Sequence, residues 1–169
     1  MAKYRYTLYD TIVFGTSAQN DQALFQVPQG GDTTHTKSFT NMRGAGALPA
    51  QEKFDIDKVG VYCDFNNLVP ADLINMWIGN YLEIRVADNS ALFIPLRAAA
   101  QYNAYAGHYS QGTAANGTMG GLVGDGYVLD YPIHVEGGVA MRVNVPQITA
   151  LSVASVPVRI LLHGILDRP

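Results

Sequence analysis

The sequence predicts an all-β protein with one short helix, folded as an antiparallel sandwich or barrel. Apolar and polar residues alternate in about eight segments, which is the period of strands with one buried face. Only one segment has helical spacing, and strands do not alternate with helices along the chain. The 169 residues fit one domain, so we assign residues 1–169 to a single unit.

Three strands are predicted before residue 41. They cover residues 3–14, residues 23–27 and residues 35–40. The first two have apolar or aromatic residues at alternate positions, and the third rests on the stretch HTKSFT. The segment 41–52 is predicted to be a loop because it is rich in Gly and contains Pro.

A longer strand is predicted from Lys53 to residue 65. The apolar phase flips between Ile56 and Val59. Either a β-bulge at Asp57–Lys58 or two consecutive strands would produce that flip.

The helix is predicted in VPADLINMWIGN, residues 69–80. Pro70 suits the first helical position and Gly79 suits the end. Leu73, Met76 and Trp77 then share one face, so the helix is expected to cover the end of a β-fold.

Five further strands or extended segments are predicted after the helix. Residues 82–86 and 92–96 form a hairpin with a turn of three to five residues at Asp88-Asn89-Ser90. Residues 127–145 have the pattern of a second hairpin, turning at Glu136-Gly137-Gly138, and a last strand runs through residues 156–162. A count of about eight strands, separated by long excursions as well as by hairpins, predicts a single eight-stranded antiparallel jelly roll.

The second hairpin has an apolar and a polar face. The apolar set is assigned to the interior: Tyr127, Leu129, Tyr131, Ile133, Val135, Val139, Met141, Val143 and Val145. His134, Arg142 and Asn144 are predicted to share the outer face, where a neighbouring subunit could cover them.

The tract 98–126 is predicted to be a long loop, with at most a short extended piece, that contacts a partner. Glycines recur through it, and Tyr102, Tyr105, Tyr109 and Met119 lie among Ser, Asn and Gln residues. Tyrosines on such polar loops provide stiff contact area for binding. The alternative is that these tyrosines pack the loop onto its own barrel.

Composition argues against several classes of partner. Charged residues make up 15% of the chain and the net charge is −3, without a Lys/Arg cluster, so nucleic acid is not expected to bind. The low charge suggests that partners cover part of the surface. The start MAKYRYTLYD has no apolar signal region, and no apolar run approaches 18 residues, so synthesis in a cytoplasm is expected.

No catalytic or metal-binding pattern is evident, and we expect neither a cofactor nor a small-molecule substrate. The four histidines are scattered, without the His-x-His pair of the cupin enzymes. Asp55 and Asp57 are two apart on a strand, which is more typical of a solvated face than of a glycosidase pair. Cys63, the only cysteine, alternates with apolar residues and is expected to be buried.

Two stretches resemble a family of viral coat proteins: TNMRGAGALPAQEKFDIDKVGVYCDF at 40–65 and LVPADLINMWIGNYLEIRVADNSALFIPL at 68–96. In pattern, the whole chain resembles the small major capsid protein of tailless, icosahedral, thermophilic bacteriophages with an internal membrane (the sphaerolipovirus type). The second stretch has the order strand, short helix and hairpin that is also similar to double-jelly-roll phage coats.

The resemblance implies a structural protein of the virion, assembled in the host cytoplasm. Copies would form dimers or higher oligomers and join a second, larger capsid protein in a shell that contacts the internal viral membrane. Two alternatives stay open. One is a carbohydrate-binding or adhesive β-sandwich module that uses the tyrosine-rich loop, and the other is a jelly-roll enzyme.

Overall fold

The computed structural model describes residues 2–63, 68–100, 107–111, 115–119 and 125–169. Ten strands, one α-helix and one 3-10 helix (Leu96–Ala99) make up its regular structure. In chain order they are β1 (Ala2–Phe14), β2 (Ala23–Leu24), β3 (Lys53–Cys63), α1 (Pro70–Ile78), β4 (Tyr81–Val86), β5 (Asn89–Pro95), β6 (Gly107–Gln111), β7 (Ala115–Met119), β8 (Tyr127–Glu136), β9 (Met141–Asn144) and β10 (Val156–Arg168). The predicted all-β class with one short helix is therefore confirmed.

Eight of the strands form two antiparallel sheets of four. The first sheet has the order β1-β10-β3-β8, and the second has the order β2-β9-β4-β5. Strands β6 and β7 pair only with each other. Both four-stranded sheets contribute one face to a common apolar core, whose largest fully buried side chains are Phe14, Phe25, Phe54, Leu24, Met42, Ile56, Leu68, Met76, Leu82, Ile84, Leu96 and Met141.

Helix α1 lies where it was predicted, with Pro70 in its first turn and Gly79 at its end. Its predicted apolar face (Leu73, Met76 and Trp77) is buried in the core. The Asp72 carboxylate accepts hydrogen bonds from the backbone N–H groups of Val69, at 3.4 Å, and of Ser152, at 2.8 Å. This carboxylate therefore caps the helix and also ties it to the loop that precedes β10.

The phase flip in β3 is a β-bulge. Lys58 pairs with His163 and Ile56 pairs with Gly164, which leaves Asp57 as the extra residue. The bulge lets residues on both sides of it face the core, so one continuous strand explains both apolar sets. Cys63 is buried near the end of this strand, as predicted.

The predicted strand at 35–40 is wrong. This segment is a loop that runs beside β1 and covers part of its outer edge. Asn41 makes hydrogen bonds to β1 that a neighbouring strand would otherwise make. Its side-chain oxygen accepts a hydrogen bond from the Tyr9 N–H at 2.7 Å, and its side-chain NH₂ donates to the Thr7 carbonyl at 2.8 Å. The hydroxyl of Thr11 donates to the Phe39 carbonyl at 2.8 Å.

The second predicted strand is shorter than expected and ends at Leu24. Phe25 has a φ of 64°, and its N–H donates to the Asp10 carboxylate at 2.5 Å. Asp10 is itself buried on β1, and burial raises its pKa while its two backbone hydrogen bonds oppose that rise. The turn at Phe25 therefore depends on a buried carboxylate that local sequence does not reveal.

The prediction of a hairpin at 127–145 is wrong, because β8 belongs to the first sheet and β9 to the second. Gly137 lies in the connection, where a Cβ would come within 2.2 Å of the Pro49 carbonyl oxygen. Since β8 is an edge strand, the predicted interior row on it is mostly not buried: Val135 is buried, whereas Tyr131 is 85% exposed. On β9, Met141 and Val143 are buried as predicted.

The hairpin of β4 and β5 is confirmed, but its turn is tighter than predicted. Val86 pairs with Asn89, so the turn consists of Ala87 and Asp88, both with positive φ. The tract 98–126 also contains more pairing than predicted, namely the hairpin of β6 and β7. Residues near its two ends meet where the Gly126 N–H donates to the Ala100 carbonyl at 3.1 Å.

Candidate interaction surfaces

The described residues contain no group of three or more His, Cys, Asp or Glu side chains that could hold a metal ion. No helix in the same part of the chain is long and apolar enough to cross a membrane. A cleft of about 160 Å³ beside the second sheet is lined by Gln26, Arg85, Asp88, Ala140, Met141 and Arg142. It is smaller than the roughly 300 Å³ at which ligand pockets usually begin.

The outer face of the first sheet carries a row of alternating charges across all four strands. The register aligns Lys3 with Asp167, Asp167 with Lys53, and Lys53 with Glu136. Lys3 Nζ lies 3.9 Å from an oxygen of Asp167, and Lys53 Nζ lies 3.0 Å from an oxygen of Glu136. The hydrogen bond to Glu136 raises the pKa of Lys53. We call these four residues the ion-pair row.

A second set of polar contacts lies next to the ion-pair row. Asp55 and His134 are hydrogen-bonded across β3 and β8, with 2.6 Å between Oδ1 and Nδ1. Arg5 on β1 pairs with Asp57, the bulged residue of β3. These are partly exposed pairs, each worth at most about 1 kcal/mol, so they shape the surface more than they stabilise the fold.

Beyond the charged end, the outer face of the first sheet is unusually apolar for a solvated surface. The register aligns Leu161 of β10 with Gly60 of β3 on this face. Val128 on β8 is 66% exposed, and Tyr62 and Val13 are also exposed. Ile165 is exposed as well, although it lies within the charged end, opposite Asp55. An antiparallel sheet with one solvated face normally alternates apolar inside with polar outside. These positions break that rule, which marks the face as a candidate contact surface.

Further exposed apolar residues lie on α1, on the hairpin of β4 and β5, and in the loop after β9. Phe93 on β5 is 63% exposed, and its ring centroid lies 4.8 Å from that of Tyr81 on β4. Ile74 on α1 and Ile148 in the loop after β9 are also exposed. We call these three segments the Asn80 corner, since Asn80 is hydrogen-bonded to each of them.

Asn80 holds three segments of this corner together. Its side-chain amide donates to the Met76 carbonyl at 3.0 Å, and its side-chain oxygen accepts the Ile148 N–H at 2.9 Å. Its own carbonyl accepts the Leu96 N–H at 3.0 Å. Because Asn80 is buried, its side chain gives the Met76 carbonyl and the Ile148 N–H the hydrogen-bond partner that water would otherwise supply.

We expect Asn80→Ala to lower the free energy of unfolding by about 2–3 kcal/mol. The change removes the partner of the Ile148 N–H and of the Met76 carbonyl, and each group left unsatisfied away from water costs about 1–3 kcal/mol. Urea denaturation followed by circular dichroism measures the loss. Asn20→Ala, the same change at an exposed position, is the control and should stay within about 0.5 kcal/mol of the wild type. Equal losses in the two variants would contradict the role assigned to Asn80.

The structure separates the residues that were predicted to form one outer face. His134 lies on β8 in the first sheet, whereas Arg142 and Asn144 lie on β9 in the second, so that prediction is wrong. Arg142 pairs with Asp21 and lies opposite Arg85 of β4.

The rest of the predicted interface lies in the tract 98–126. Tyr102 and Tyr105 lie outside the described residues. Tyr109 lies on β6 opposite Gly117, and Met119 lies on β7 opposite Gly107. Their role in binding a partner stays a prediction.

The apolar residues of the Asn80 corner were missed as candidates. A signal for one of them was present: Leu92, Ile94 and Leu96 form the apolar row of their strand, so Phe93 between the first two had to point to the other face. An aromatic residue on the outward face of a strand indicates a contact site more strongly than the histidine and asparagine that were chosen.

The described residues therefore define an antiparallel β-protein built from two four-stranded sheets, with apolar and ionic surfaces on the outside. The chain matches no protein-family model, and no curated protein or solved structure is significantly similar to it.

Proposed function

We propose that this chain is a structural subunit of a viral shell, built as a single jelly roll. The observation that carries the jelly-roll part of the proposal is the order in which the eight strands of the two sheets pair. The first pairs with the eighth (β1 with β10), the second with the seventh (β2 with β9), the third with the sixth (β3 with β8) and the fourth with the fifth (β4 with β5).

That nested order arises when one long antiparallel hairpin is wrapped into two sheets, and it supports the jelly-roll topology. Viral capsid domains, lectins and cupins all use this topology, so the fold alone does not select a function. The surfaces of the protein therefore have to distinguish a capsid protein from a lectin or an enzyme.

The surfaces favour assembly over catalysis. Charged side chains on the outer face of the first sheet pair with one another in the ion-pair row and in the Arg5–Asp57 pair. Exposed apolar residues occur on that face and at the Asn80 corner, which are two distinct surfaces. A shell subunit meets several neighbours and needs more than one such surface. A chain with only 15% charged residues is suited to having much of its surface covered.

In this proposal the chain works in the virion and has no enzymatic activity. Copies form at least a dimer at micromolar concentration and assemble with a second, larger capsid protein. The shell is put together in the host cytoplasm and contacts an internal viral membrane. Neither nucleic acid nor a small-molecule substrate is a partner.

The test is whether the chain is an abundant component of virus particles. Particles are purified on a density gradient from the culture that produces the chain, and quantitative mass spectrometry gives its copy number. We expect hundreds of copies, in a fixed ratio to one larger protein. Absence from the particles, or only a few copies, would contradict the proposal. Binding of the purified chain to a glycan array would favour a carbohydrate-binding module instead.

A further inference from the structure

One row on the outer face of the first sheet, the ion-pair row, is arranged so that it complements itself. Across the sheet the ion-pair row reads positive, negative, positive, negative, from Lys3 through Asp167 and Lys53 to Glu136. A row with this alternation, rotated by a half-turn about an axis parallel to the strands, reads negative, positive, negative, positive. Each charge of one copy then faces an opposite charge of the other.

We propose that two copies of this chain dimerise face to face through their first sheets, about a two-fold axis that runs between β10 and β3. Lys3 then meets Glu136 of the second copy, and Asp167 meets Lys53 of the second copy. This rests on the proposed function and deepens it, because it assigns the self-association step to one surface.

The same axis also matches the apolar end of the face. It places β10 of one copy over β3 of the other, so Leu161 lies over Gly60 of the second copy, a large side chain against a position without one. Arg159 lies over Tyr62 of the second copy in the same way. Arg159 already lies 5.3 Å from the ring centroid of Tyr9, and a second aromatic ring extends that cation–π contact.

The area available on this face is smaller than that of a standard interface. Four strands spaced about 4.8 Å apart are about 19 Å wide, but β8 pairs with β3 only from Lys53 to Val59, so the rows beyond residue 8 of β1 are three strands wide or less and the face offers roughly 500 Å². A specific interface takes about 800 Å² from each partner. Sheets that pack face to face keep their strand directions within about 30°, which is compatible with an axis parallel to the strands.

A second copy matches the alternating charges of this face better than an unrelated partner would. An unrelated protein would have to supply four alternating charges at the strand spacing, whereas a second copy supplies them by symmetry. Like charges facing each other would oppose dimerisation, and the ion-pair row contains no such pair.

The test uses a charge reversal and its rescue. Lys53→Glu places a negative charge opposite Asp167 of the second copy, and we expect the dimer dissociation constant, measured by sedimentation equilibrium, to rise at least about tenfold. Adding Asp167→Lys changes the row to positive, positive, negative, negative. Within one chain this puts like charges side by side, yet each charge still faces an opposite charge across the axis. The double variant should therefore regain the dimer although its own ion pairs are altered.

Arg85→Glu is the matched control. Arg85 is also the cation of a partly exposed ion pair, with Glu83, but it lies on the second sheet. We expect its dissociation constant to stay within about twofold of that of the wild type. Circular dichroism of each variant establishes that it is folded.

Three results would overturn the inference. The wild type could be a monomer at tens of micromolar, Lys53→Glu could dimerise as well as the wild type, or the double variant could stay as weak as the single one.

Failure of the shell function is distinguishable from these results. If the dimer responds to the variants as expected but the chain is absent from virus particles, the proposed function is wrong and the dimer interface is supported. If particles hold hundreds of copies but the chain fails the dimer tests, the shell function is supported and the dimer interface is wrong.

Discussion

Met141→Asp is expected to leave the chain unfolded at 25 °C. Met141 is about 1% exposed on β9, between the two sheets. An aspartate there buries a charge without a partner, or stays neutral at the cost of a raised pKa, and such changes cost about 4 kcal/mol or more. A loss of this size or larger removes the stability of a domain near the lower end of the usual range, about 5 kcal/mol. Far-ultraviolet circular dichroism and the loss of a cooperative thermal transition measure the effect.

Arg142→Asp is the control for this result, because it introduces the same side chain at the next residue of the same strand. Arg142 points to the outer face, where it pairs with the exposed Asp21. Loss of a surface ion pair costs at most about 1 kcal/mol, so the melting temperature should fall by only a few degrees. If both variants unfold equally, the assignment of faces on β9 is wrong.

Gly164→Ala is expected to lower the free energy of unfolding by about 3 kcal/mol. Gly164 lies on β10 beside the bulge of β3, and a Cβ on it would come within 2.0 Å of the Asp55 carbonyl oxygen. Because the clash is with backbone in the centre of a sheet, a side chain cannot move aside to relieve it. Chemical denaturation gives the size of the loss.

Gly15→Ala tests whether the loss at Gly164 comes from the clash. A Cβ on Gly15 would meet only the Ser155 nitrogen, at 3.9 Å, which is an ordinary contact. We expect no loss, or a small gain from the reduced freedom of the unfolded chain. A similar loss in both variants would mean that glycine matters at Gly164 for some reason other than its close approach to Asp55.

The strands that the sequence predicted correctly are those whose pattern is set by burial alone. β1, β3, the hairpin of β4 and β5, and β10 each have one face in the core, so their period of two is visible in the sequence. The bulge at Asp57 was also visible, since an extra residue must shift the apolar phase.

The errors occur where a distant residue decides the local structure. β2 ends at Leu24 because the carboxylate of Asp10, fifteen residues before Phe25, accepts the Phe25 N–H. The segment 35–40 has strand-like alternation, but side-chain hydrogen bonds from Asn41 and Thr11 hold it along β1 as a loop. Neither interaction has a signal in the local pattern.

The candidate surfaces were the least predictable part. Residues 127–145 alternate like a hairpin, and only the pairing of β8 with β3 and of β9 with β4 reveals that the connection passes between sheets. His134 and Arg142 therefore lie on different surfaces. The ion-pair row combines residues from four strands that span nearly the whole chain, so it could not be recognised before their register was known.

Electron cryomicroscopy of the purified particles decides whether this chain is a repeating subunit of a viral shell. We expect shell density into which the two four-stranded sheets fit at many symmetry-related positions, with first sheets of neighbouring copies facing each other. A shell whose density is fully explained by other proteins, with no position that fits these two sheets, would contradict it.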